Sequence, residues 1–98
     1  MKIKVELDPQ VAEFVRSLAP DPRKRLRQAL HDLEQEKGDL KQLEADLAGY
    51  ARLRVGGHRV LVRFCAERGQ RVARCVFAER RPVVYELFAE ILRGEMGG

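Results

Sequence analysis

The sequence predicts an α+β domain in which helices pack on one face of a mostly antiparallel sheet. Three observations predict it. Apolar and charged residues alternate from Lys2 to Leu7 and again from Tyr50 onward, the period of half-buried strands. Between these regions, apolar residues recur three and four positions apart, which is the spacing of a helix stripe. Gly56-Gly57 and Arg68-Gly69 then divide the second alternating region into three strands joined by tight turns. At 98 residues the chain has room for one core, so residues 1–98 are read as one domain.

Each element has its own signal. Ile3, Val5 and Leu7 form the apolar side of the first strand. Asp8-Pro9 supplies an N-cap and a first helical residue. Val11, Phe14, Val15 and Leu18 are the stripe of a short helix that Ala19-Pro20 ends, and Asp21-Pro22 repeats the start signal. Leu26, Ala29, Leu30 and Leu33 are a second stripe, with Gly38 as its expected stop. Between Asp39 and Gly49, Leu40, Leu43 and Leu47 suit either a helical turn or a packed loop. The meander follows as Tyr50–Val55, His58–Ala66 and Val72–Ala78. The last of these strands carries apolar residues on both faces and is expected to be internal. Pro82 opens a final helix whose stripe is Val84, Leu87, Phe88 and Ile91.

Charge is unevenly placed. From Tyr50 to Arg81 there are nine arginines against Glu67 and Glu79, a net +7, whereas the rest of the chain nets −3. Arginine outnumbers lysine fourteen to five. A guanidinium presents a planar fork that matches phosphate geometry, so this concentration points to a polyanion-binding surface. A two-residue loop at Gly56-Gly57 opposes Arg54 to Arg59 and places Arg52, Arg54, Arg59 and Arg63 on one face. Like charges directly opposed destabilise a sheet. An anion bridging Arg54 and Arg59 would remove that cost. Leu53, Val55, Val60, Val62 and Phe64 take the other face, which the helices are expected to cover, and His58 falls there as a packed residue.

Other chemistries lack their signatures. Cys65 and Cys75 have no histidine at metal-ligand spacing, so no metal site is expected and the thiols are read as packing residues. There is no Gly-rich phosphate loop and no Ser/His/Asp arrangement, and no cofactor is expected. The charged, alternating start is not a signal peptide, and no apolar run is long enough to span a bilayer, which leads to an expected cytoplasmic location. Tyr50 suits either base stacking or packing. Tyr85, after the basic pair Arg80-Arg81, suits either phosphate contact or burial.

Two stretches resemble a known family. LAGYARLRVGGHRV (Leu47 to Val60) resembles the arginine-rich hairpin of RelE/ParE toxins, and FAERRPVVY (Phe77 to Tyr85) is similar to that family's C-terminal motif. The likeness covers roughly residues 2 to 92. It implies a RelE-type toxin of a type II toxin–antitoxin system. Such a toxin is a ribosome-dependent mRNA endonuclease in which a 2′-hydroxyl attacks the adjacent phosphate. Carried over by position, the catalytic residues are Arg52, Arg54, Arg59, Arg81 and Tyr85, with Arg63, Arg80 and Tyr50 as RNA contacts. The implied partners are a cognate antitoxin, the ribosome and mRNA.

Two departures stand out. Arg52 and Arg54 occupy positions where some members have lysine, and arginine does not act as a base. Glu79 occupies a position where some members have arginine, which leaves Arg80 as its substitute or Glu79 as a base. The resemblance also admits a ParE-like gyrase inhibitor without nuclease activity, or an inert member of the family.

Overall fold

The computed structural model describes the backbone of residues 2–80 and 83–97, with side chains at all of these except 83, 84 and 95–97. The elements in chain order are β1 (Lys4–Leu7), α1 (Pro9–Ser17), α2 (Pro20–Asp32), β2 (Asp39–Gln42), β3 (Ala51–Val55), β4 (His58–Glu67), β5 (Gln70–Arg80) and α3 (Val83–Gly97). Two short 3-10 turns intervene, Leu33–Gln35 and Ala45–Leu47. The five strands form one sheet in the order β1-β5-β4-β3-β2, and only β1 and β5 run parallel. The predicted α+β class and the order of strand, helical hairpin, meander and helix are therefore present.

The two turns of the meander follow from their residues. Val55 pairs with His58 across Gly56-Gly57, and Gly56 has φ +60°. Arg68 and Gly69 both take positive φ, at 51° and 82°. Two consecutive residues of this kind match the right-handed twist of the strands they join.

Alternation along the strands separates two cores. Leu53, Val60, Val62, Ala73, Cys75 and Ala78 face α1 and α2, where Val11, Val15, Leu26, Leu30 and Leu33 meet them. As the apolar pattern on both sides of the third meander strand predicts, β5 is internal, lying between β1 and β4. Its stretch beyond Cys75 has no β1 partner. There the Gln10 side chain takes the place of a strand: its Nε2 donates to the Ala78 carbonyl at 2.6 Å, and its Oε1 accepts from the Ala78 N–H at 2.8 Å.

The structure corrects four expectations. The helices do not all pack on one face. Leu61 and Phe77 point away from α1 and α2, and Phe88 of α3 packs on them with Leu47. The sheet thus carries α3 on its second face, because β4 and β5 each place an apolar residue there. The stretch after Gly38 opens as an edge strand, β2, whose Leu40 joins the larger core, before the 3-10 turn. The second helix begins at Pro20, ahead of the predicted Asp21-Pro22. It also stops short of Gly38, passing through the 3-10 turn and ending with Glu36 in the left-handed region. Gly38 instead passes close to the core: a Cβ there would lie 2.8 Å from Leu53 Cδ1. Pro82, expected to open the last helix, lies outside the described residues.

One irregularity decides the charge pattern. Leu61 pairs with Phe77 but Val62 pairs with Cys75, so Val76 is an extra residue in β5. Such a bulge reverses the facing of everything beyond it.

Candidate phosphate-binding site

Arg52, Arg54 and Arg59 lie on one face of the β3–β4 hairpin, as their spacing predicts. Arg54 is directly opposite Arg59, and Arg52 is opposite Leu61. Leu61 belongs to the small core under α3, so the arginines border the ground that this helix covers. Alternation along β4 brings Arg63 to the same face, two positions past Leu61, where it is exposed opposite Arg74. The bulge at Val76 then puts Glu79 on the arginine face, directly opposite Arg59.

The three central arginines have different surroundings. Arg54 is about half exposed, and its Nε lies 2.6 Å from Asp39 Oδ2 in an ion pair. The Arg52 side chain is only 15% exposed, and its Nη2 donates to Asp39 Oδ1 at 3.1 Å. Its Nε is buried without a hydrogen-bond partner. Arg59 is 3% exposed, and its Nη1 donates to the carbonyls of Gly56 at 2.9 Å and His58 at 3.0 Å. A buried guanidinium held by neutral carbonyls is costly to desolvate.

This geometry corrects one inference from the sequence. The opposed Arg54 and Arg59 do not depend on an external anion to relieve their repulsion. Arg54 turns to Asp39 on the neighbouring strand, and Arg59 folds back on its own turn. Sequence reading missed Asp39 because the region was not seen as a strand. The signal was present in Leu40, an apolar residue between Asp39 and Lys41, but four residues are too few to declare a period.

The remaining predicted residues do not join the cluster. Arg80 pairs with His58, so the bulge carries it to the face covered by α1 and α2. His58 is there as expected, its ring edge-on to Phe14 at 5.5 Å. Burial first, and the Arg80 charge second, push its pKa below the usual histidine value. Tyr50 packs edge-on against Phe88 at 5.0 Å, within the small core. Tyr85 is half buried against the same core and lines a groove with Glu44, Asp46 and Glu86. Arg81 lies outside the described residues. Among the described residues no group of three or more His, Cys, Asp or Glu could hold a metal ion, and no helix is long and apolar enough to cross a membrane.

Arg74 shows how a basic residue becomes structural. It sits between Asp8 at 3.1 Å and Glu6 at 3.0 Å, tying the start of α1 and β1 to β5. The Asp8 carboxylate makes no cap bond to α1 and is used in this pair. The site arginines, by contrast, share one carboxylate between two, and one of their Nε groups has no acceptor.

The fold places the chain among known structures. A chain of the RelBE2 toxin–antitoxin complex from Mycobacterium tuberculosis aligns with TM-score 0.68 and 23% identity, covering 83% of this chain and 100% of that one. The YoeB/ParE toxin from Agrobacterium tumefaciens aligns with TM-score 0.65 and 15% identity over 81% and 99%. A chain of the archaeal RelE–RelB complex from Pyrococcus horikoshii aligns with TM-score 0.64 and 24% identity over 84% and 98%. No family model matches the sequence, and no curated protein is significantly similar to it. The likeness is therefore one of fold, and it spans nearly the whole length of each structure matched.

Proposed function

We propose that this chain, having the fold of RelE/ParE toxins, is the toxin of a toxin–antitoxin pair and cleaves mRNA on the ribosome. The observation that carries this reading is the clustering of Arg52, Arg54 and Arg59 on one face, with the buried Arg52 Nε lacking an acceptor. Phosphate oxygens would take the Arg52 and Arg54 N–H groups that now face Asp39. Guanidinium groups fixed before substrate arrives stabilise charge that develops on the phosphorus, without reorganising at the moment of reaction.

The reaction needs a base as well as cations. Glu79 faces the same side as Arg59 and is only partly buried. In this reading its carboxylate takes the proton of the 2′-hydroxyl as that oxygen bonds to phosphorus. The bond to the 5′-oxygen then breaks, and that oxygen takes a proton from water, leaving a cyclic phosphate and a 5′-hydroxyl. Tyr85 contacts the reacting nucleotide, as the resemblance implies, and Arg81 completes the set. Arg63 remains an RNA contact along the same face, whereas Arg80 and Tyr50 are assigned to other surroundings. The cognate antitoxin is the partner that keeps the activity silent, and the location is cytoplasmic.

The test is to induce the chain in cells and map mRNA 5′ ends. Cuts inside translated codons support the ribonuclease, and their loss in an Arg54→Ala variant ties them to this site. Intact mRNA with DNA damage would support the second reading, a gyrase inhibitor. One observation favours that alternative: Asp39 already neutralises much of the charge on Arg52 and Arg54.

A further inference from the structure

The Asp39 carboxylate lies between Arg52 and Arg54. It does not grip one arginine with both oxygens but bridges two, Oδ2 to Arg54 Nε at 2.6 Å and Oδ1 to Arg52 Nη2 at 3.1 Å. Phosphate makes the same kind of contact, with more oxygens and more lone pairs to offer. The carboxylate leaves the buried Arg52 Nε unserved. A buried donor without an acceptor is costly, so the present occupant fits the pair imperfectly.

Asp39 is also placed to leave. It begins a four-residue strand at the edge of the sheet, and its side chain is about two-fifths exposed. Arg54, its partner, is half exposed. An ion pair this open to water is weak. A fixed structural bridge would be better served by burial on both sides. The backbone of β2, paired to β3 from Asp39 to Gln42, holds the residue in register whether or not its side chain is engaged.

We propose that Asp39 is a built-in counter-anion, which fills the phosphate position between Arg52 and Arg54 and is displaced by an RNA phosphate. This rests on the reading of those arginines as the phosphate site and adds a selective role for a carboxylate. A lone mononucleotide must compete with a tethered anion for the same two guanidiniums. A polynucleotide brings a further phosphate to the exposed Arg63 on the same face and overcomes the competition. Asp39 therefore sets a threshold that favours strands over free nucleotides.

The test measures binding of a short single-stranded RNA, made uncleavable by 2′-O-methylation, to the full chain. Fluorescence anisotropy at two salt concentrations compares wild type with Asp39→Asn, Arg54→Ala and the double variant, with urea unfolding as a check on folding. Asparagine keeps the shape and removes the charge. Asp39→Asn is expected to bind on the order of tenfold more tightly, since the competing carboxylate charge is removed from both arginines. Its salt dependence should steepen. The gain should shrink in the Arg54→Ala background, and a mononucleotide should benefit more than the RNA. Should Asp39→Asn bind no better than wild type while Arg54→Ala binds worse, the carboxylate merely positions the arginines; the inference fails and the phosphate site stands. Indifference of binding to Arg54→Ala would remove the site and the inference together. Arginine Nε resonances in the wild type give a second readout: RNA must shift both Arg52 and Arg54, and an unmoved pair overturns displacement.

Discussion

Arg59→Met separates a residue held for function from one held for folding. In the native chain the Arg59 guanidinium is buried, with Nη1 on the carbonyls of Gly56 and His58. Each of its two hydrogen bonds is worth about 4–6 kcal/mol in gross terms, before exchange with water. The Gly56 carbonyl, however, lies in an exposed turn, and the His58 carbonyl follows directly after it, so water can replace the donor there. Against this stands the desolvation of a guanidinium, several kcal/mol even after relaxation, which methionine does not incur. The balance predicts that Arg59→Met is as stable as wild type or more stable by up to about 2 kcal/mol. For a domain of this size that is a rise of roughly 0–15 °C in Tm. Growth arrest on expression should nevertheless disappear. Thermal and urea unfolding measure the first part, and a growth assay the second. A loss of more than about 2 kcal/mol would mean that Arg59 is there to fasten the hairpin. Growth arrest as strong as wild type would remove Arg59 from the site.

The other predictions follow from single observations. Leu53 is fully buried, so Leu53→Ala should lower stability by about 2–5 kcal/mol in urea unfolding. Gly38→Ala adds a Cβ 2.8 Å from that leucine at φ +138°, so it should destabilise by about 1–3 kcal/mol; a neutral result would show that the β2 entry can shift freely. His58 has a lowered pKa, so the unfolded chain binds the extra proton first and stability should fall as pH drops through the ordinary histidine value toward the folded one. His58→Phe should flatten that slope between pH 7.5 and 5.5. Burial pushes the Cys75 thiol up to about 12, so a thiol reagent at pH 8 should label native Cys65 well before Cys75, and denaturant should abolish the difference. Tyr85→Phe should lower RNA cleavage more than RNA binding; equal losses would mark the residue as packing.

Much of the hairpin was legible because its signals are local. Gly56-Gly57 fixes the loop length, loop length fixes register, and register fixes which arginines share a face. His58 could be assigned to the covered face by the same steps. Helix stripes around Val11 and Leu26 were equally plain, since a periodic apolar run has few other uses. What failed depends on long-range partners. Residue spacing alone cannot show that Phe88 would find Leu61 and Phe77, because α3 had an equally apolar stripe for either side of the sheet. Edge strand β2 carries only Leu40 into the core, and its pairing to β3 supplies the rest of its order. Arg59 was expected to be open because arginine usually is; its burial comes from carbonyls in a turn, which no side-chain pattern records.

The extra residue at Val76 governs which charge meets the arginines. Ahead of it, β5 shows Arg74 to the Arg63 side; past it, Glu79 takes that side and Arg80 departs. Ironing out the bulge while keeping Val76 would turn Glu79 to the α1/α2 side and bring Arg80 to the arginine side, with no substitution anywhere in the hairpin. Two chains of this fold with the same fifth-strand sequence, one bulged and one regular, would therefore present chemically opposite surfaces, and comparing them column by column would hide it.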